Sequence, residues 1–174
     1  LTVLERTLRG VIRESDVERV AAEADLVVNC STKGQVGWQS AGDRGDVVLE
    51  PYSALAPADP VPVGPAVGDD ASRRRAFYAT SLPDILRNTE AGARAALAIP
   101  AEVPFFDAVY APRETVFLRD GRLTGHRTLG GSVMSVAQAA DALVHRVCRR
   151  LLDAAGLDHA AVDTRVRNVM GRLW

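Results

Sequence analysis

At 174 residues the chain has the length of one ordinary domain, enough to bury a real core. A formal net charge of −1 and a pI near 6.3 exclude a role driven by bulk attraction to nucleic acid or to an anionic membrane. No apolar run reaches the ~18 residues of a membrane span and no signal peptide opens the chain. Cys30 and Cys148 do not suggest a disulfide scaffold, so a reducing, cytoplasmic setting is expected.

Leu1 is not an initiator Met, and Leu1–Leu4 reads as a strand already in progress, so a piece of a longer protein is expected. Ser15 and Glu18 have capping-box spacing, with Val17, Val20, Ala21 and Ala24 following at helical intervals; this predicts a short helix over 15–24. Leu26-Val-Val28 is an apolar run with polar flanks, the mark of a parallel strand covered on both faces. Strand, helix and strand within 30 residues predict an α/β fold with a parallel sheet flanked by helices. Val47–Leu49 reads as a short strand, and the proline-rich segment 56–72 as a flexible loop. Arg73 to Ala98 is expected to be helical with a break near Pro83, its Arg73-Arg-Arg75 run forming a solvated face. Phe105–Tyr110 is the second clear strand. Asp120-Gly121 fits a tight hairpin turn, with a helical turn over 114–119 as the other reading. Ser132 to Leu152 carries one apolar stripe from Val133 to Leu151 and predicts a long helix against the sheet. Asp158 to Leu173 predicts a final amphipathic helix.

In open parallel sheets, ligands bind beyond the carboxyl ends of the strands. The small and polar Asn29-Cys-Ser-Thr-Lys-Gly34 ends one predicted strand and Tyr110 ends another, while Gly130-Gly131-Ser132 opens the long helix. All three segments then share one rim, with Gln138 two turns into the helix able to donate and to accept.

The order N-C-S-T-K-G-Q, then F-D-A-V-Y-A-P-R-E-T, then G-H-R-T-L-G-G-S-V-M-S-V-A-Q-A-A resembles the cofactor-binding half of shikimate dehydrogenases. Those enzymes show N-A-T-x-x-G-M, D-x-x-Y-x-P-x-x-T and N-G-x-x-M-L-x-x-Q-A in that order. The resemblance is good over 103–148, fair over 24–37 and weak over 38–100.

What it implies is a partial Rossmann-like domain, lacking its first strand and glycine-rich loop. The activity implied is NADP-dependent, reversible reduction of 3-dehydroshikimate to shikimate in aromatic amino-acid biosynthesis. Tyr110 and Gln138 match substrate-contacting positions, and Gly131 and Met134 match positions beside the nicotinamide. Asn29, Ser31 and Gly34 match the loop that walls the cofactor cleft, and Arg6 and Thr7 the segment that grips the 2′-phosphate. Glu5 stands where the family has Asn, which makes NAD conceivable; Gln35 replaces Met; and no G-x-G-x-x-G occurs. The proton-transfer Lys and Asp belong to an N-terminal substrate domain outside this chain, so the isolated chain is expected to be inactive. A quinate or aminoshikimate dehydrogenase is equally compatible, and a homodimer is one assembly the resemblance allows. The rival class is a non-catalytic ligand-sensing module of the same fold.

Each candidate also has a plainer reading. Tyr110 fits a strand-end tyrosine packed over the sheet edge, Gln138 a solvated helix residue, and Met134 a core filler. Lys33, the only lysine, fits an exposed loop lysine rather than a proton donor, and His126 a loop residue rather than a substrate contact. His145, Cys148 and His159 lack further ligands at metal spacing, so no metal site is expected.

Overall fold

The computed structural model describes residues 13, 16–21, 23–65 and 68–173. The expected strand Leu1–Leu4, together with Ser15, Arg6 and Thr7, lies outside them. The described chain is α/β, built on a three-stranded parallel sheet with helices, a partial Rossmann-like arrangement.

Helix α1 (Val17–Ala21) leads into strand β1 (Val27–Asn29). Strand β4 (Phe105–Asp107) lies at the centre of the sheet, between β1 and β5 (Thr128–Leu129), parallel to both. One face is closed: Phe105 is fully buried and stacks on Phe117 with ring centroids 4.9 Å apart, inside a cluster with Ala95, Ala96, Ile99 and Leu118. The other face is open, with Val28 and Leu129 exposed, which corrects the expectation that Leu26–Val28 is covered on both sides.

A second, antiparallel pair joins β2 (Trp38–Ser40) to β3 (Asp46–Val48), where Val47–Leu49 was expected to form a strand. Its core holds Val48, Tyr52, Phe77 and Ile85.

Helix α2 runs unbroken from Asp70 to Ala98 with Pro83 inside it, correcting the expected break. Proline removes one backbone donor and crowds the carbonyl four residues back. Here both Pro83 and Ala79 face solvent, leaving that carbonyl open to water, while Phe77, Ser81, Ile85 and Asn88 hold the other side in place.

The buried face of α2 is unusually polar, and it secures segment 53–61. Asn88 accepts from Ser53 N at 2.7 Å and donates to the Ser53, Ala56 and Pro57 carbonyls. Asp84 accepts from Asp59 N at 2.8 Å and Ser81 from Val61 N at 3.0 Å. The loop thus obtains from one helix the backbone partners that a sheet would otherwise supply.

Helix α3 (Val116–Leu123) occupies the place of the expected Asp120-Gly121 hairpin. Thr115 caps it by accepting from Leu118 N. Gly121 is there for close packing rather than for a turn: a Cβ on it would come within 2.6 Å of the Phe105 ring.

The long C-terminal helix starts as expected but is segmented. Helix α4 (Gly131–Ala142) passes through a π-helical stretch, Leu143–Val147, into α5 (Arg149–Ala154), and α6 (His159–Leu173) folds back along α4. Its main partner is therefore α6, not the sheet. The predicted stripe divides accordingly: Val136, Ala140 and Val144 are buried, while Val133, Val147 and Leu151 are exposed.

Candidate functional site

Parallel pairing of β1 with β4 brings Asn29 opposite Asp107, so the polar segments that follow both strands emerge side by side. Asn29 is buried and uses its whole amide. Its Oδ1 accepts from Ser31 N at 2.9 Å and Ser31 Oγ at 2.7 Å, folding the chain back on itself. Its Nδ2 donates to Lys33 O at 3.1 Å and to Asp107 Oδ1 at 3.0 Å.

Asp107 is fully buried and extends the network. Oδ1 also accepts from Val109 N at 2.8 Å, and Oδ2 accepts from the Thr115 hydroxyl at 2.5 Å. Burial pushes its pKa up, and the bonds from Thr115, Val109 and Asn29 oppose that rise. Gly34 closes the ring. It has φ +88°, and a Cβ on it would sit 2.8 Å from Thr115 Cβ. One connected network therefore holds the ends of both strands and the start of α3.

Above this network lies a cavity of about 350 Å³, with Cys30, Ser31 and Gln35 on one side and Val109 and Tyr110 on the other. Cys30 is exposed, and Tyr110 is about half exposed. Helix α4 abuts the same rim. Gly131 N donates to Val109 O at 3.3 Å, and a Cβ on Gly131 would lie 2.4 Å from Ala108 O, so only glycine lets the helix start this close to the strand end.

The structure thus brings together Asn29, Ser31, Gly34, Tyr110 and Gly131. Gln138 is not with them: it is exposed on α4 and absent from the cavity wall, which corrects the expectation that it shares one cavity with Tyr110. Helix α4 packs along α6, and Gln138 lies on its exposed side. Met134 is half-buried on the same helix and also lines no part of this cavity. Arg6 and Thr7 lie outside the described residues.

Two plainer readings meet the structure differently: His126 is the loop residue expected, while Lys33 is not the exposed loop lysine expected. His126 is buried beneath Phe105, its ring nitrogens 2.9 Å from Val103 O and 3.0 Å from Ala96 O. It stands just before β5, whose start pairs with the start of β4, so it belongs to the opposite end of the sheet and cannot touch a ligand at the rim. Lys33 is half-buried, not an exposed loop lysine; its ammonium donates to Ala56 O at 2.6 Å. Among the described residues no group of three metal-ligating side chains converges. No described helix is long and apolar enough to cross a membrane.

Reading motifs for ligand contacts alone passed over Asp107 and Thr115. Their signal was present: both are fixed letters of the D-x-x-Y-x-P-x-x-T pattern, at the spacing that joins a strand end to a helix cap. No family model, curated protein or solved structure matches the chain. What the fold and rim define is an α/β chain with a cavity, lined by apolar residues and by Ser31, Gln35 and Tyr110, at the carboxyl ends of two parallel strands.

Proposed function

We propose that this chain is the cofactor side of an NADP-dependent oxidoreductase of the shikimate dehydrogenase type, acting in aromatic amino-acid biosynthesis in the cytoplasm. Its reaction is the reversible reduction of 3-dehydroshikimate to shikimate. The observation that carries the reading is the Asn29–Asp107–Thr115 network. Two motifs that resemble those of the family, 78 residues apart at Asn29 and Asp107, meet at one sheet rim through side chains that belong to the motifs themselves.

The residues present fit a nicotinamide cofactor. The cavity is in the size range of small-ligand sites, its rim offers hydroxyl, amide and phenol groups, and Gly131 opens a helix N-terminus against it. Ser31, Gln35 and Gly131 would hold the nicotinamide half, which when bound supplies the hydride. Tyr110 would orient the substrate hydroxyl, and the closed strand ends exclude water from one side. Proximity and orientation of this kind contribute roughly 7–11 kcal/mol to a barrier. The proton-transfer Lys and Asp are assigned by the resemblance to a substrate domain outside this chain.

The exposed position of Gln138 favours a second reading, a ligand-sensing module in which the rim binds without turnover. Titration of the chain with NADPH, NADH and shikimate tests the proposal. Binding of NADPH in preference to NADH, weakened by Tyr110→Phe only in the presence of shikimate, supports the oxidoreductase. Shikimate binding with no affinity for either nucleotide favours the sensor, and no binding of any of the three rejects both.

A further inference from the structure

We infer that Lys33 is a positioning residue of the rim: its ammonium pins the 29–34 loop, one wall of the cavity, to segment 53–57 and through it to the long helix α2. Only the functional consequence rests on the cofactor reading above; the pin itself is geometric.

Lys33 is tied at both ends. Its backbone N donates to Ser31 Oγ at 3.2 Å and its carbonyl accepts from Asn29 Nδ2, so the main chain belongs to the asparagine-centred turn. Its side chain leaves that turn and donates to Ala56 O at 2.6 Å, the carbonyl that also accepts from Asn88 Nδ2 at 3.0 Å. One carbonyl is thus shared by the loop of the site and by the helix that secures segment 53–61. The next residue, Gly34, adds a backbone bond to Leu49 O at 2.8 Å.

The charge around the amine is specific. Asp84 of α2 attracts it, with Tyr52 and Asp59 beside that carboxylate. Burial outweighs this attraction and brings the Lys33 pKa down to about 8. Either protonation state can donate to Ala56 O, but only the ammonium is also drawn to Asp84. Because burial outweighs that attraction, the unprotonated amine fits this position better, and the pin tightens as pH rises from about 8 towards the ordinary 10.5. Within the pattern that resembles the family this position is a free letter, so the recognised motif does not account for a lysine there.

The experiment compares wild type with Lys33→Met, which keeps length but loses the donor, and Lys33→Arg, which keeps donor and charge. Two readouts are taken: hydrogen exchange at the Gly34 amide, and NADPH affinity on either side of pH 8. Lys33→Met should speed Gly34 exchange by roughly three- to thirtyfold and weaken NADPH binding by a similar factor, with Lys33→Arg restoring both. Wild-type affinity should rise as pH climbs from about 8 towards 10.5, and that step should be missing in both variants. If Lys33→Met does not fold, the acylation rate of Lys33, the only lysine, in folded wild type serves instead: a pinned amine should react roughly tenfold or more slowly than in the unfolded chain. Gly34 exchange unchanged in Lys33→Met, or Lys33 acylated as fast folded as unfolded, overturns the pin. Faster exchange in a protein that binds no NADPH upholds the pin and overturns the cofactor reading alone.

Discussion

The side-chain amide of Asn29 donates to the carboxylate of Asp107 across 3.0 Å, joining the carboxyl ends of two adjacent parallel strands. Backbone pairing stops at this point, and side chains take over its role. Asn29, Asp107 and Thr115 are all buried, and each is hydrogen-bonded to another of them, so removing one strands several groups.

Asp107→Ala should therefore be severe. It leaves Asn29 Nδ2, Val109 N and the Thr115 hydroxyl short of an acceptor, and one stranded buried group costs about 1–3 kcal/mol. A loss of about 3 kcal/mol or more is expected in urea unfolding, with Asp107→Asn milder because it keeps one acceptor. A loss below ~1 kcal/mol for Asp107→Ala contradicts the network.

Gly34→Ala is expected to cost about 1–3 kcal/mol, since the residue sits at φ +88° and its new methyl meets Thr115. Gly64→Ala is the control: nothing lies within 4 Å of its Cβ, and a change within ~0.5 kcal/mol is expected. Equal effects at the two positions, by thermal unfolding, would remove the case for a steric ring at Gly34.

Asp120 gives a pH-dependent prediction. Its Oδ2 is buried with no hydrogen-bond partner, and burial raises its pKa, with Arg119 and Ser53 opposing. The folded state then keeps this proton to higher pH than the unfolded state. Between the two values the folded state binds more protons, so stability falls as pH rises through that window. Asp120→Asn should stabilise the chain by roughly 1–3 kcal/mol at neutral pH and by nothing below the ordinary aspartate range. An effect of the same size at both pH values would show that the charge is not the cause.

Lys33 works in the opposite direction. Its folded pKa of about 8 lies below the ordinary 10.5, so between these values the unfolded state binds more protons and stability rises with pH. The unfolding free energy of wild type should climb across that window relative to Lys33→Met. Parallel pH profiles would contradict the shift.

The sequence made the parallel sheet legible because β1 and β4 are short apolar runs with polar ends, a local pattern. What it concealed depended on distant partners. Pro83 survives inside α2 because Ala79 and Pro83 face water while Asn88 and Phe77 are held on the other side. Asp120-Gly121 reads as a turn until the Phe105 ring, which needs the missing Cβ, is placed against it. At the site, Asn29, Ser31 and Tyr110 could be found because their segments follow strands. Gln138 was misplaced because helical spacing gives a face but not the neighbour that the face will meet, and here that neighbour is α6.

The central claim is that the cavity between the 29–34 loop and Tyr110 takes a nicotinamide cofactor, and Cys30 on its wall reports on it directly. The rate of thiol alkylation at Cys30 and at Cys148, which lines no part of this cavity, is measured by peptide mass spectrometry with and without saturating NADPH. The account predicts that NADPH slows labelling of Cys30 by about tenfold or more and leaves Cys148 unchanged, as expected for a thiol covered by a ligand well above its Kd. Cys30 labelled at the same rate with NADPH present would contradict it.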